Sequence, residues 1–284
     1  MQRLFPVPLK TVLMMFVGTV TLFLVNCGDD SPGGGTPGGG LPGGGGDAGV
    51  YAGGGPLSST SFRGGPGDAF TIYHPTPMNG RLPVMVWANG TGTPTRTYER
   101  LFKHMATHGI ITVAANTTQA MFTNDLQRGA EWIRGEAGRS GSPFNGKVDP
   151  DAIGVAGHSQ GGAAAIAAGA NRIFKTSVLL APGPFHNAAR LTGPSLFVAG
   201  SRDVIVNPGW VQNHYNAAPN PKMYAELSGA THNSFSGNFN GSRGYITAWF
   251  KAHLAGDSNA RALFYGGGCV MCSDPTYETR RAGL

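Results

Sequence analysis

Gly157-His158-Ser159-Gln160-Gly161-Gly162 follows the compact apolar run Ile153-Gly154-Val155-Ala156 and precedes an Ala-rich run over residues 163–170. Strand, sharp turn carrying a serine, helix: that is the setting a G-x-S-x-G nucleophile elbow requires. The glycines on either side of Ser159 have a steric task. The turn brings strand and helix so close that side chains two residues away from the serine would clash. The motif alone does not decide the matter. In a chain with 46 glycines, chance yields roughly 0.4 such matches, so the surrounding elements must supply a base, an acid and an oxyanion site in the right order.

Working outward, short apolar runs alternate with helical patterns. Strands are predicted at residues 69–73, 82–88, 110–114, 153–156, 177–180, 195–199 and 222–227. Helices are predicted at 96–108, 124–133, 163–170, 210–216 and 241–254, the last with Ile246, Trp249, Phe250 and Leu254 on its apolar face. This alternation implies an α/β fold with a mostly parallel central sheet and helices on both faces. Functional groups then belong at the carboxyl ends of strands.

Three such ends carry the chemistry. A serine hydroxyl is a poor nucleophile at neutral pH. It needs an imidazole to take its proton and a carboxylate to fix and stabilise that imidazole. Ser159, Asp203 and His232 each follow a strand, in the chain order Ser, Asp, His. His158 holds the variable position of the elbow and points elsewhere. His186 and His214 follow no strand after the acid, and His104 and His108 precede the serine as helix-surface residues. Glu226 lies within a strand, Asp257 comes after His232, and Asp149 and Asp151 cap the turn before the elbow. Two backbone N–H groups must hold the oxyanion. One comes from Gln160, directly after the nucleophile. The other comes from the loop Asn89-Gly90-Thr91-Gly92, with Thr91 as the choice and Gly92 as the one-residue alternative.

The first fifth of the chain is not domain-like. Arg3 and Lys10 flank a short leader, and residues 11–25 are nearly all apolar, too few for a full membrane span. Cys27 directly at the end of that run marks a lipoprotein-type signal, residues 1–26, with the Cys27 thiol lipidated; ordinary secretion and an uncleaved anchor are the alternatives. All three routes export the domain. From 33 to 55, 14 of 23 residues are glycine, so residues 27–62 read as an anchor site and a disordered Gly/Pro-rich linker. The catalytic domain is then expected over residues 63–284. In an exported protein Cys269 and Cys272 are expected to form a local disulfide. The formal charge of +6 comes from scattered Lys and Arg, which suits a diffusely basic surface and not a nucleic-acid patch. No cofactor or metal is called for, and a monomer is expected.

From about Gly65 to Phe264 the chain resembles the bacterial cutinase and polyester-hydrolase (PETase-like) group of α/β-hydrolases, with chlorophyllase-like lipases nearby. The resemblance lies in Asn89-Gly90-Thr91, Ala106-Thr107-His108-Gly109, Asn116-Thr117-Thr118 and Gly146-Lys147-Val148-Asp149. It continues through the elbow, Asp203-Val204-Ile205-Val206-Asn207-Pro208 and Gly229-Ala230-Thr231-His232. It implies an α/β-hydrolase fold without a lid domain, a shallow exposed cleft, and triad and oxyanion roles for Ser159, Asp203, His232, Thr91 and Gln160. Polyester hydrolases of this group usually carry an aromatic residue where Thr91 stands, Met where Gln160 stands and Trp where Gly183 stands. Phe185 is the nearby aromatic that could line the cleft. Aliphatic or small acyl esters therefore fit better than aromatic polyesters. The expectation is an exported serine carboxylester hydrolase working through an acyl-enzyme. Its rivals are a triacylglycerol lipase, a plant-polymer esterase or a serine peptidase on the same triad, and a non-catalytic surface binding protein on a hydrolase fold.

Overall fold

A computed structural model of the chain describes residues 48–122, 124–239 and 241–284. Among the described residues the strands are β1 Ser58–Gly64, β2 Phe70–Thr76, β3 Leu82–Ala88, β4 Ile111–Ala115, β5 Val148–His158, β6 Ser177–Leu180, β7 Ser195–Gly200, β8 Lys222–Leu227 and β9 Tyr277–Ala282. These nine strands form one sheet in the order β1-β2-β4-β3-β5-β6-β7-β8-β9. From β3 to β8 every pairing is parallel, whereas β1, β2 and β9 pair antiparallel with their neighbours. The helices are α1 Glu99–Thr107, α2 Asp125–Glu136, α3 Gln160–Ala168, α4 Pro208–Ala217, α5 Arg243–Leu254, α6 Ser258–Ala262 and α7 Val270–Ser273.

Alternating side chains of the central strands serve two cores. Trp87 of β3 packs with Tyr98, Phe102 and Phe239 on the α1 side. Val86, its neighbour, meets α2 on the other, where a Cβ on Gly129 would lie 3.3 Å from Val86 and 3.2 Å from Phe70. The glycine lets α2 sit against β2, β3 and β4. On β5, Gly154 makes room for Phe250 of α5, since a Cβ there would come within 2.6 Å of that ring. Each fully buried aromatic of this kind is worth about 1.5–3 kcal/mol over leaving it in water. The buried stretches of the parallel strands, residues 83–88 of β3 and 177–180 of β6, carry no charged side chain because both faces are covered, whereas β5 and β8 admit Asp149, Asp151, Lys222 and Glu226 where they are less covered.

The expected start of the domain at residue 63 needs correction. Residues 48–62, assigned to the linker from their glycine content, pack on the domain. Tyr51 is buried and its hydroxyl donates to Asp257 at 2.8 Å. The carbonyls of Tyr51, Ala52 and Gly53 accept from His104, Arg243 and His108. Gly55 runs so close to α1 that a Cβ would lie 2.2 Å from the Thr107 carbonyl oxygen. Here Gly55 allows close backbone approach, in a stretch that composition alone reads as disorder. The leader, Cys27 and residues 27–47 lie outside the described residues. At the other end Cys269 and Cys272 are joined by a disulfide.

Candidate active site

The elbow turns on Ser159, whose φ of 59° and ψ of −122° place a non-glycine residue in the left-handed half of backbone space. Such strain persists only where the surroundings impose it. Here β5 delivers the chain and α3 starts directly after it, with the Ser159 amide donating to the Leu180 carbonyl of β6 at 3.0 Å. The flanking glycines are obligatory. A Cβ on Gly157 would lie 2.2 Å from the Gly161 carbonyl oxygen, and one on Gly161 would lie 2.1 Å from that of Ala88.

His232 and Asp203 meet across the ends of β8 and β7. His232 Nδ1 donates to Asp203 Oδ2 at 2.7 Å. The other carboxylate oxygen accepts the amides of Ile205 and Val206 at 2.9 and 2.8 Å. Both side chains are buried. Burial pushes the Asp203 carboxyl up, but the bonds from His232 and the two amides outweigh it and hold the group below the usual carboxylate range. With Nδ1 committed as a donor, His232 keeps its Nε2 lone pair for a proton. Among the described residues Ser159 Oγ has no hydrogen-bond partner. Nucleophile–base bonds are often loose before substrate arrives and tighten in the Michaelis complex.

The loop after β3 crosses beside the serine: a Cβ on Gly90 would lie 3.4 Å from Ser159 Cβ. Asn89 anchors the loop from below. Its buried amide donates to the Ala115 and Thr117 carbonyls at 2.8 and 3.0 Å and accepts from Trp87 Nε1 at 3.1 Å. Of the next three amides, Gly90 N–H goes to the Tyr98 hydroxyl at 3.1 Å and Gly92 N–H to the Thr118 carbonyl at 3.0 Å. Thr91 N–H has no partner among the described residues, which favours it over Gly92 as an oxyanion donor. Gln160 opens α3, where backbone N–H groups lack intrahelical partners. Its side-chain oxygen is buried and unbonded among the described residues.

Along the rim, Gly183 donates its amide to the Ser159 carbonyl at 3.1 Å. A Cβ there would meet the Phe185 ring at 3.3 Å, so Phe185 leans over the glycine and stays 49% exposed. His214, set aside as a base, ties α4 to this loop by donating to the Gly183 carbonyl at 2.9 Å. Two rim residues went unassigned in the sequence. Val204 and Ile205, directly after Asp203, are 94% and 59% exposed. Their signal is an apolar pair at a strand end where a turn is ordinarily polar. Among the described residues no group of three or more His, Cys, Asp or Glu side chains stands together as a metal site.

A family model described as PET hydrolase-like matches residues 47–275. The chain is 29% identical over 220 residues to Cutinase 1 of Thermobifida cellulosilytica, covering 71% of this chain and 78% of the relative. It is 29% identical over 220 residues to a cutinase of Thermobifida fusca, covering 71% and 67%. With a bis(hydroxyethyl) terephthalate hydrolase of Streptomyces coelicolor it shares 26% over 209 residues, covering 71% and 66%.

Proposed function

The chain belongs to the PET hydrolase-like family, and from that premise we propose that Ser159, Asp203 and His232 hydrolyse carboxylic esters through an acyl-enzyme. That it is a carboxylic-ester hydrolase of the cutinase kind follows from the family; the residues and steps are our reading. Ser159 Oγ attacks the ester carbonyl while His232 Nε2 takes its proton. The negative charge forming on the carbonyl oxygen is met by the amides of Thr91 and Gln160. Collapse breaks the ester bond, and His232 returns the proton to the leaving alcohol. Water then attacks the acyl-enzyme by the same proton path and frees the acid. Asp203 keeps the imidazole in the working tautomer throughout.

The observation that carries this reading is the buried 2.7 Å Asp203–His232 bond, together with Ser159 held on a strained turn at the carboxyl end of β5. Hydrolysis of p-nitrophenyl butyrate by wild type and Ser159→Ala tests it. Loss of the nucleophile should cost on the order of 10⁴–10⁶ in kcat; equal rates would sink the assignment.

Aliphatic or small acyl esters are the proposed substrates. No aromatic side chain stands at Thr91, Gly92 or Gly183, and the exposed rim residues Val204, Ile205 and Phe185 offer mainly aliphatic surface with one ring. Rates on p-nitrophenyl butyrate, a long-chain triacylglycerol and bis(hydroxyethyl) terephthalate would separate the acyl classes. Export, with residues 1–26 as the signal and Cys27 as a lipid site, remains part of the proposal. Radiolabelled palmitate incorporation into wild type but not Cys27→Ser is its test.

A further inference from the structure

His158 fills the variable position of the elbow, where the motif asks nothing of it. Its ring is nevertheless only 4% exposed and bonded at both nitrogens. Nε2 lies 3.1 Å from the backbone carbonyl of His232. A carbonyl only accepts, so Nε2 carries the proton and donates. Nδ1, 3.0 Å from the Tyr98 hydroxyl, is then an acceptor, and Tyr98 donates to it. The Tyr98 oxygen accepts the Gly90 amide at 3.1 Å. The direction of every bond from Gly90 through Tyr98 and His158 to His232 is thereby set. That run joins three separate loops: the one after β3 carrying Thr91, the elbow itself, and the one after β8 carrying His232.

We propose that His158 and Tyr98 are positioning residues for ester hydrolysis, holding the oxyanion loop at Gly90 and the backbone of His232 in register across Ser159. The proposal rests on the assignment of Ser159, Asp203 and His232 as the triad. Both are buried, and the two ring nitrogens of His158 are taken by the Tyr98 hydroxyl and the His232 carbonyl. The His158 ring lies against that of His232, tilted by 39° with centroids 4.5 Å apart. His232 becomes a cation during acylation, and a second cation at that distance would oppose it. Burial, with the His232 charge next in effect, holds the His158 imidazole neutral, its pKa lowered to about 3. The titratable groups facing it are His232, Asp203 and Tyr98, and the remaining ring nearby is Phe235.

The experiment compares kcat and KM on p-nitrophenyl butyrate, with thermal unfolding, for wild type, Ser159→Ala, Tyr98→Phe, His158→Phe, His158→Gln and the Tyr98→Phe/His158→Phe double variant. An active Ser159→Ala would overturn the triad assignment itself, separately from anything the other variants do. With Ser159→Ala inactive, Tyr98→Phe should lower kcat about tenfold with KM held within about twofold. His158→Phe should lower kcat roughly 10–100-fold, and the double variant should be no slower than His158→Phe alone, because the two form one chain of bonds. His158→Gln can donate to the His232 carbonyl from near the Nε2 position and should recover part of the loss. A purely structural role would lower the unfolding temperature and leave kcat unchanged, which overturns the proposal, as do losses that multiply in the double variant. Should His158→Phe fail to fold, Tyr98→Phe removes a single oxygen and decides alone: wild-type kcat there overturns the proposal.

Discussion

Gln160 serves two ends through separate atoms. Its backbone amide, at the start of α3, is the proposed oxyanion donor, while its side-chain oxygen is buried without a hydrogen bond among the described residues. A buried acceptor left unmade costs about 1–3 kcal/mol. Gln160→Met keeps the amide and removes the orphaned oxygen. It should raise stability by about 1 kcal/mol in urea unfolding and leave kcat on a small ester within a few-fold. A loss of stability would mean that the oxygen is satisfied in solution. The candidate triad was legible at this scale because Ser159, Asp203 and His232 each follow a strand end, and strand ends announce themselves by apolar runs. His158 was not legible in its structural part. Its two partners lie 60 and 74 residues away, and a motif's variable position gives no hint of them.

Among elements, the junction of β5, α3 and β3 is the tightest. A Cβ on Gly161 would lie 2.1 Å from the Ala88 carbonyl oxygen and 2.5 Å from that of Asn89. Both are backbone atoms and cannot swing aside, so Gly161→Ala must push α3 away from β3. The expected cost is about 3 kcal/mol or more of stability, with a loss of activity beyond it, since moving α3 carries the Gln160 amide with it. Gly135 in α2 is the contrast. A Cβ there meets nothing within 4 Å, and Gly135→Ala should stabilise by about 0.5–1 kcal/mol. Urea unfolding of the two variants checks both signs, and a mild Gly161→Ala would undo the packing account of the elbow. Of the parallel strands, β3 and β6 were read to the residue because burial on both faces makes them continuous apolar runs, and β8 likewise despite Lys222 and Glu226; β5 was read only over residues 153–156, because Asp149, Pro150 and Asp151 at its start look like a turn. The edge strands β1 and β9 were missed for the converse reason. β1 is Ser-Ser-Thr-Ser-Phe-Arg-Gly, mostly exposed, and β9 carries Glu278, Arg280 and Arg281. An edge strand held chiefly by backbone pairing leaves little hydrophobic pattern to find.

Across the whole molecule, histidines are taken out of water in several places at once. Burial first, and the neighbouring His108 charge second, lower His104 to about 4. His158 is lowered to about 3, and His253 to about 4, again chiefly by burial. In the folded chain these groups resist a proton that the unfolded chain accepts near the ordinary value of 6.5. As pH falls below that value the unfolded state therefore binds more protons, and stability drops. The contribution is intact above pH 6.5 and is lost progressively as the medium approaches the folded values. The carboxylates run on a lower window. Asp203 and Asp257 are held below their usual 3.8, so their contribution is lost only beneath that. Between about pH 6 and 4.5 the slope belongs to histidine, at about 1.4 kcal/mol per pH unit for each group. His104 and His158, the most buried of the three, give up to ~3 kcal/mol per unit together. Urea midpoints should fall steeply from pH 6.5 to 4.5. His104→Gln can still donate to the Tyr51 carbonyl that His104 Nε2 holds at 2.9 Å, but it cannot titrate. It should flatten that fall by roughly one group's share while leaving the pH 7.5 midpoint little changed. Equal midpoints for the wild type at pH 7 and pH 5 would mean that these rings reach water before the chain unfolds, and the N-terminal segment clamped by His104 and His108 would be the first place to look for that opening.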